Sequence, residues 1–292
     1  MPGFEQQLIE VNGQKINCVT AGNGPPLLLL HGHPQNLIVW RKVAPAFVQA
    51  GYQAIASDLR GYGDSSKPEG GDHHVNYSKR EMAKDQVDLM RTLGHESFTV
   101  IGHDRGGRVA HRMALDHPDA VNRIVVIDIA PTATMYAKTD MEFARRYFWW
   151  FFFIQPTPFP ETMMSHDTEY FLRRHINGQL ADPDAGHVED EVFNDYLRCY
   201  KMPETISAVC EDYRASASID LEHDAADSHT KINAPLLALW GGQGTVGALY
   251  DVLETWREKA SNVQGKSLPC GHSLMEEQPE LFSAEVLAFL QS

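Results

Sequence analysis

Up to about residue 130 the chain alternates short apolar runs with amphipathic stretches. Residues 16–22 (INCVTAG), 25–32 (PPLLLLHG), 52–61 (YQAIASDLRG), 98–104 (FTVIGHD) and 121–131 (VNRIVVIDIAP) read as strands. The runs at 25–32 and 98–104 are apolar for most of their length, without polar alternation, as in strands buried on both faces. Residues 78–94 (SKREMAKDQVDLMRTLG) and 106–118 (GGRVAHRMALDHP) carry apolar residues at helical spacing and end near Gly or Pro. Strand–helix–strand order at these lengths implies crossover connections and a mostly parallel sheet. From 132 to 227 the pattern changes to aromatics, Met and short helical pieces. Strand character resumes at 234–242 (APLLALWGG). A helix around 247–260, a short strand at Lys266–Leu268 and a last helix at 279–290 follow. The expected architecture is an α/β core, residues 1–131 and 228–292, interrupted by a helical cap, residues 132–227.

Bulk properties narrow the task. Hydrophobic residues make up 43% of the 292, enough for a sizeable core. The 39 acidic residues against 25 basic ones give a net charge of −14, which argues against nucleic acid or an anionic membrane as partner. The average field also repels anions, so any anion site needs local positive groups. The longest apolar run, FWWFFFI at 148–154, is too short to cross a bilayer, and the first ten residues lack a secretory pattern. The four cysteines are scattered, so reduced thiols in a cytoplasmic protein are expected, with no structural zinc.

The chemistry concentrates in residues 100–114, VIGHDRGGRVAHRMA. A strand runs into Gly102, Asp104 and Gly106, and a helix follows: the outline of a nucleophile elbow, G-x-S-x-G, with a carboxylate at the nucleophile position. The bland alternative is an Asp that merely caps the helix. Three further features weigh against it. His272 follows a short strand, the place of a general base in this topology. The loop after 234–242 holds no carboxylate, but the strand before it ends in Asp128, which could orient His272 and is costly inside an apolar run unless paired. HGHPQN at 31–36 forms a turn whose His33 backbone N–H, with that of Arg105, would supply an oxyanion hole. His103, His111 and His117 read as helix-face or surface residues.

Substituting Asp for Ser changes the reaction. A Ser that attacks saturated carbon forms an ether, which water does not cleave. An Asp forms an alkyl ester, and His272 can activate water against its carbonyl. The pattern therefore points to displacement of a halide or an epoxide oxygen at sp3 carbon. Arg105 and Arg108 lie at i and i+3 at a helix N-terminus, where cations oppose the dipole. The two guanidiniums would fork a substrate carboxylate.

With these residues in place, the chain resembles the fluoroacetate and haloacetate dehalogenases of the α/β-hydrolase superfamily. The likeness spans nearly the whole chain and is densest at HGHPQN, DLRGYGDSSKP, GHDRGGR, HRMALDHP, DYRASASIDLEHD and the Gly271–His272 pair. It implies Asp104 as nucleophile, His272 as base, Asp128 as its orienting acid, and Arg105 with Arg108 on the carboxylate of a small 2-haloacid. It also implies a halide cradle containing Trp150 and Tyr213. Its third member, usually His, is Trp149 here. His33 stands where the family usually has an aromatic, and a cap tryptophan is not evident in RRHINGQLA. No metal or organic cofactor is implied. Homodimers are common among such enzymes, and no interface is legible in the chain. The rival enzyme is an epoxide hydrolase, which would use Tyr213 with Tyr147 or Tyr136 as acids and needs no paired arginines. A non-catalytic binding protein would be expected to lack one of the three catalytic residues.

Overall fold

The structure, a computed structural model, describes residues 1–292. Eight strands form one sheet: β1 (Glu5–Val11), β2 (Gln14–Ala21), β3 (Pro26–Leu30), β4 (Gln53–Ser57), β5 (Phe98–His103), β6 (Val121–Ile127), β7 (Leu236–Gly241) and β8 (Val263–Leu268). Their spatial order is β1-β2-β4-β3-β5-β6-β7-β8. β1 and β2 pair antiparallel, as do β2 and β4, and every pair from β4 to β8 is parallel. The crossover order of β3 and β4 leaves the carboxyl ends of β3, β5, β6 and β7 side by side, where an open α/β sheet binds ligands.

The pleat divides the core. Leu28, Leu30, Val100 and Val126 join a cluster on one face, which continues into Trp149, Trp150 and Tyr196. Leu27, Leu29, Ile101, Val125 and Ile127 pack on the other, against Phe282, Val286 and Phe289 of the last helix. Because both faces are covered, β3, β5 and β6 are nearly all apolar rather than alternating.

Between β6 and β7 there is no strand, only eight helices from Thr132 to Ala226. They lie against the carboxyl ends of the strands through polar ties. The His272 N–H donates to the Gln179 carbonyl at 2.9 Å, and Asn36 donates to Asp195 at 2.7 Å. Arg41 bridges Glu276 and Glu189.

Two details depart from the sequence reading. β1 was not anticipated: all but Val11 of its side chains are exposed or half-buried, so it lacks an apolar signature. Asn12-Gly13, with positive φ at both residues, closes the β1–β2 hairpin and is the signal that marks it. The helix expected around 247–260 is two, Thr245–Leu249 and Val252–Arg257. Tyr250 is extended, and the Asp251 carboxylate starts the second helix by accepting the Glu254 N–H.

Candidate active site

Asp104 occupies the turn between β5 and the helix Arg105–Asp116. Its φ of 45° and ψ of −112° lie outside the regions open to L-residues, and strain of this kind costs about 1–3 kcal/mol. The glycines around it permit the bend. A Cβ on Gly106 would sit 2.4 Å from the Leu30 carbonyl oxygen, and one on Gly32 would sit 2.5 Å from the Asp104 Cβ. The Asp104 side chain makes no capping bond to its own helix. Its Oδ1 instead accepts the His33 N–H across the site at 3.0 Å. The Arg105 N–H opens the helix, where the first amides lack intrahelical acceptors.

Burial raises the Asp104 pKa, but the cations His272, Arg108 and Arg105 outweigh it and hold the carboxyl well below the usual range. Asp104 is therefore anionic at neutral pH. It is buried, so water competes little for its charge.

His272 and Asp128 meet beside it. His272 Nδ1 lies 2.6 Å from Asp128 Oδ2, and Asp128 Oδ1 accepts the Gly241 N–H at 2.9 Å. Asp128 follows β6 with a φ of 49°, so the acid stands at one strand end while a backbone amide of the next strand fixes its second oxygen. The contact with Asp128 leaves His272 Nε2 as the free ring nitrogen. Burial lowers the imidazole pKa, yet Asp128 and Asp104 together carry it above its ordinary value.

The residues that hold the His272 loop are not evident from motifs. Glu277 accepts N–H groups from Gly271 at 2.9 Å, Ser273 at 3.1 Å and Ala181 at 2.8 Å, tying the loop to the helical segment. His103 is buried, not on a helix face. Its Nε2 lies 2.9 Å from the His272 carbonyl oxygen, and its pKa is pushed down to about 3, chiefly by burial.

The two arginines differ. Arg105 is fully buried and its fork is occupied. Nε and Nη2 donate to the Asp212 carboxylate at 2.9 and 2.7 Å, and Nη2 also reaches Ser216 Oγ at 2.5 Å. Asp212 further accepts from Tyr62 at 2.7 Å and from Lys79. Only Arg105 Nη1 lacks an acceptor. The residue that claims Arg105, Asp212, opens the DYRASASIDLEHD stretch, but nothing in that stretch marks it as the partner of the arginine. Arg108, also buried, meets no carboxylate. It donates to the Ala130 carbonyl at 3.1 Å and Thr132 Oγ1 at 3.0 Å, touches Met135 Sδ at 3.2 Å, and keeps an unpartnered Nε. Burial and Arg105 lower its pKa, and Asp104 opposes them.

Aromatic rings cover the guanidiniums. Arg105 lies 4.2 Å over the Tyr213 ring and Arg108 4.7 Å over the Trp150 ring. Both rings are buried, and burial pushes the Tyr213 phenol well up, keeping it a neutral donor. Trp149 stands further out, edge-on to His175 at 4.5 Å and to Tyr147 at 5.2 Å. His33 packs among Tyr213, Phe153 and His175, with Tyr200 Oη 2.8 Å from its Nδ1. No three His, Cys, Asp or Glu side chains converge on a point that could hold a metal ion.

Comparison with known proteins fits this geometry. The family model described as the alpha/beta hydrolase fold matches residues 25–279. A fluoroacetate dehalogenase of Burkholderia sp is 44% identical over 95% of this chain and 91% of its own. The chain belongs to the haloacetate dehalogenase family of the α/β-hydrolase superfamily. This hydrolase is also 34% identical to a soluble epoxide hydrolase of Corynebacterium sp. (strain C12), over 96% of this chain and 94% of that one. A crystal structure from Salmonella enterica, provisionally described as an acyltransferase, superposes at a TM-score of 0.98 with 57% identity, covering 100% of this chain and 96% of its own. No helix of the hydrolase is long and apolar enough to cross a membrane.

Proposed function

We propose that this hydrolase removes halide from small 2-haloacids through an ester on Asp104, with residues 132–227 as a helical cap over a core of residues 1–131 and 228–292. The observation that carries this reading is Arg108. A buried cation with no paired carboxylate is costly. A substrate carboxylate beside Asp104 supplies the missing counter-charge. It also meets the unpartnered Arg105 Nη1, so two guanidiniums still share the anion although Asp212 holds most of Arg105.

The chemistry then runs in two steps. The Asp104 oxygen attacks the carbon bearing the halogen, the C–O bond forms and the halide leaves. We assign the Trp150 indole N–H and the Tyr213 hydroxyl to the leaving atom, with Trp149, which stands further out against His175, as the third member of the cradle. Next, His272 Nε2 takes a proton from water, and the hydroxide adds to the ester carbonyl. The His33 and Arg105 N–H groups stabilise the oxyanion, a contact prefigured by the His33 bond to Oδ1. The adduct then collapses: the ester C–O bond breaks, the departing alkoxide takes the proton from His272 to give the 2-hydroxy acid, and Asp104 returns to its carboxylate form by losing the remaining water proton to solvent. Esterification removes the Asp104 charge that favours the protonated ring, so the His272 pKa falls and more of the imidazole is in the neutral form that can accept a proton from water.

An epoxide is neutral and leaves Arg108 unpaired, although the Corynebacterium relative keeps that reading in play. Halide release from chloroacetate, measured beside diol formation from a styrene-type epoxide, tests the proposal. Turnover of the acid is expected. Efficient epoxide opening with no halide release would reverse it.

A further inference from the structure

A cavity of about 420 Å³ opens on the helical segment outside the catalytic group. Its wall includes Arg145, Arg146 and Arg174 and no Asp or Glu. That is unexpected in a chain of net charge −14. Glu142 is the single carboxylate bound to Arg145 and Arg146, at 2.9 and 2.5 Å, and Arg174 has no carboxylate partner. The rest of the wall is largely apolar and open: Phe148, Met163 and Tyr170 are three of the eight exposed large hydrophobic residues of the chain.

The floor of the cavity is Trp149 and His175. Both are buried, and their rings pack at 4.5 Å. On its inner side the His175 ring lies 4.6 Å from His33, whose amide binds Asp104. His175 thus stands between the cavity and the nucleophile. Its imidazole is held at about 3, mainly by burial, and both Asp104 and His272 act on it electrostatically. A neutral ring here adds no charge that would hold an anion in the neck.

We propose that this cavity is the entry port for the acid substrate: the three arginines capture the carboxylate, the apolar wall accepts its carbon skeleton, and the Trp149–His175 neck passes it to Asp104. The ligand class is a carboxylate with an apolar or aromatic body, somewhat larger than acetate. The substrate part of the claim rests on the haloacid reading above; the anion-gathering part does not. Arg105 is neutralised by Asp212 and Arg108 lies deep, so neither can draw an anion from solution; the exposed rim, three arginines sharing the single carboxylate of Glu142, keeps an excess of positive charge that can.

Two measurements on the Arg145→Gln/Arg146→Gln/Arg174→Gln variant test this. The first is fluorescence quenching in a Trp240→Phe background. Trp40, Trp150 and Trp256 are sealed, leaving Trp149 as the accessible indole. Iodide quenching is expected to fall at least about twofold at low salt, and quenching by neutral acrylamide to stay the same. The second is the salt dependence of kcat/KM for chloroacetate and 2-chloro-2-phenylacetate. The variant should lose kcat/KM at low salt and match the parent at high salt. Unchanged iodide quenching overturns the port, as does an unchanged salt dependence. If the parent releases no halide from either acid, the haloacid reading fails, and the iodide experiment alone decides whether the port gathers anions.

Discussion

Asp128→Asn separates the two halves of the proposed reaction. Asp128 has two anchored oxygens, one on the Gly241 N–H at 2.9 Å and one on His272 Nδ1 at 2.6 Å. An asparagine has one acceptor and one donor. Turning its oxygen to His272 would set its NH2 against the Gly241 N–H, leaving a buried donor orphaned at a cost of about 1–3 kcal/mol. The side chain therefore keeps its oxygen on Gly241 and offers NH2 to Nδ1. Nδ1 must then accept, which places the imidazole proton on Nε2 and removes the lone pair that activates water. The equivalent change in serine-protease triads, with the same loss of tautomer control, lowers kcat about 10⁴-fold. A fall of about 10³–10⁴ in steady-state kcat is expected here, or about 4–5.5 kcal/mol on the barrier. Attack by Asp104 needs no base, so the first halide should still leave. Rapid-quench assays should show a burst approaching one halide per active site and then a stall, and intact-protein mass spectrometry should show the carboxymethyl ester. Linear halide release at the parent rate, or loss of the burst itself, would refute the assignment of His272 to the second step alone.

Removing the buried charge in Arg108→Gln should raise KM for chloroacetate at least about 30-fold, because losing one partner of a buried charge pair costs about 2–5 kcal/mol, and should scarcely affect binding of a neutral epoxide. Asp212→Asn leaves Arg105 and Lys79 without their shared carboxylate and should destabilise the fold by about 3–5 kcal/mol, read as a shift in the denaturant midpoint. In the pH profile, kcat should fall on the acid side as His272 gains its proton. Because kcat/KM ends at the irreversible loss of halide and Asp104 has a depressed pKa, kcat/KM for chloroacetate should show no matching fall near neutrality.

The strands of a mostly parallel sheet and the turn that carries Asp104 were legible because they depend on local signals. β3, β5 and β6 are buried on both faces and appear as apolar runs, and the glycines at 102 and 106 mark a turn where backbones approach too closely for a Cβ. β1 was not legible from hydropathy, since an edge strand with one partner buries little; its Asn-Gly turn carried the information. The role of Arg105 was only half visible. Sequence spacing places it beside Arg108 on one helical turn, but Asp212, which claims its fork, lies 107 residues away on another helix. Glu277 is hidden for a related reason: its three backbone partners carry no side-chain pattern. His175 lies in the stretch without the family tryptophan, and its edge-on packing with Trp149 and His33 shows only in three dimensions.

The most direct test is a single turnover in water enriched in heavy oxygen, with enzyme in excess over chloroacetate. The account predicts ordinary oxygen in the new hydroxyl of the product, because that atom comes from the Asp104 carboxylate, and heavy oxygen in the proteolytic peptide that contains Asp104. Heavy oxygen in the product with none in the peptide would mean that water attacks the substrate directly, and the aspartyl ester would have to be abandoned.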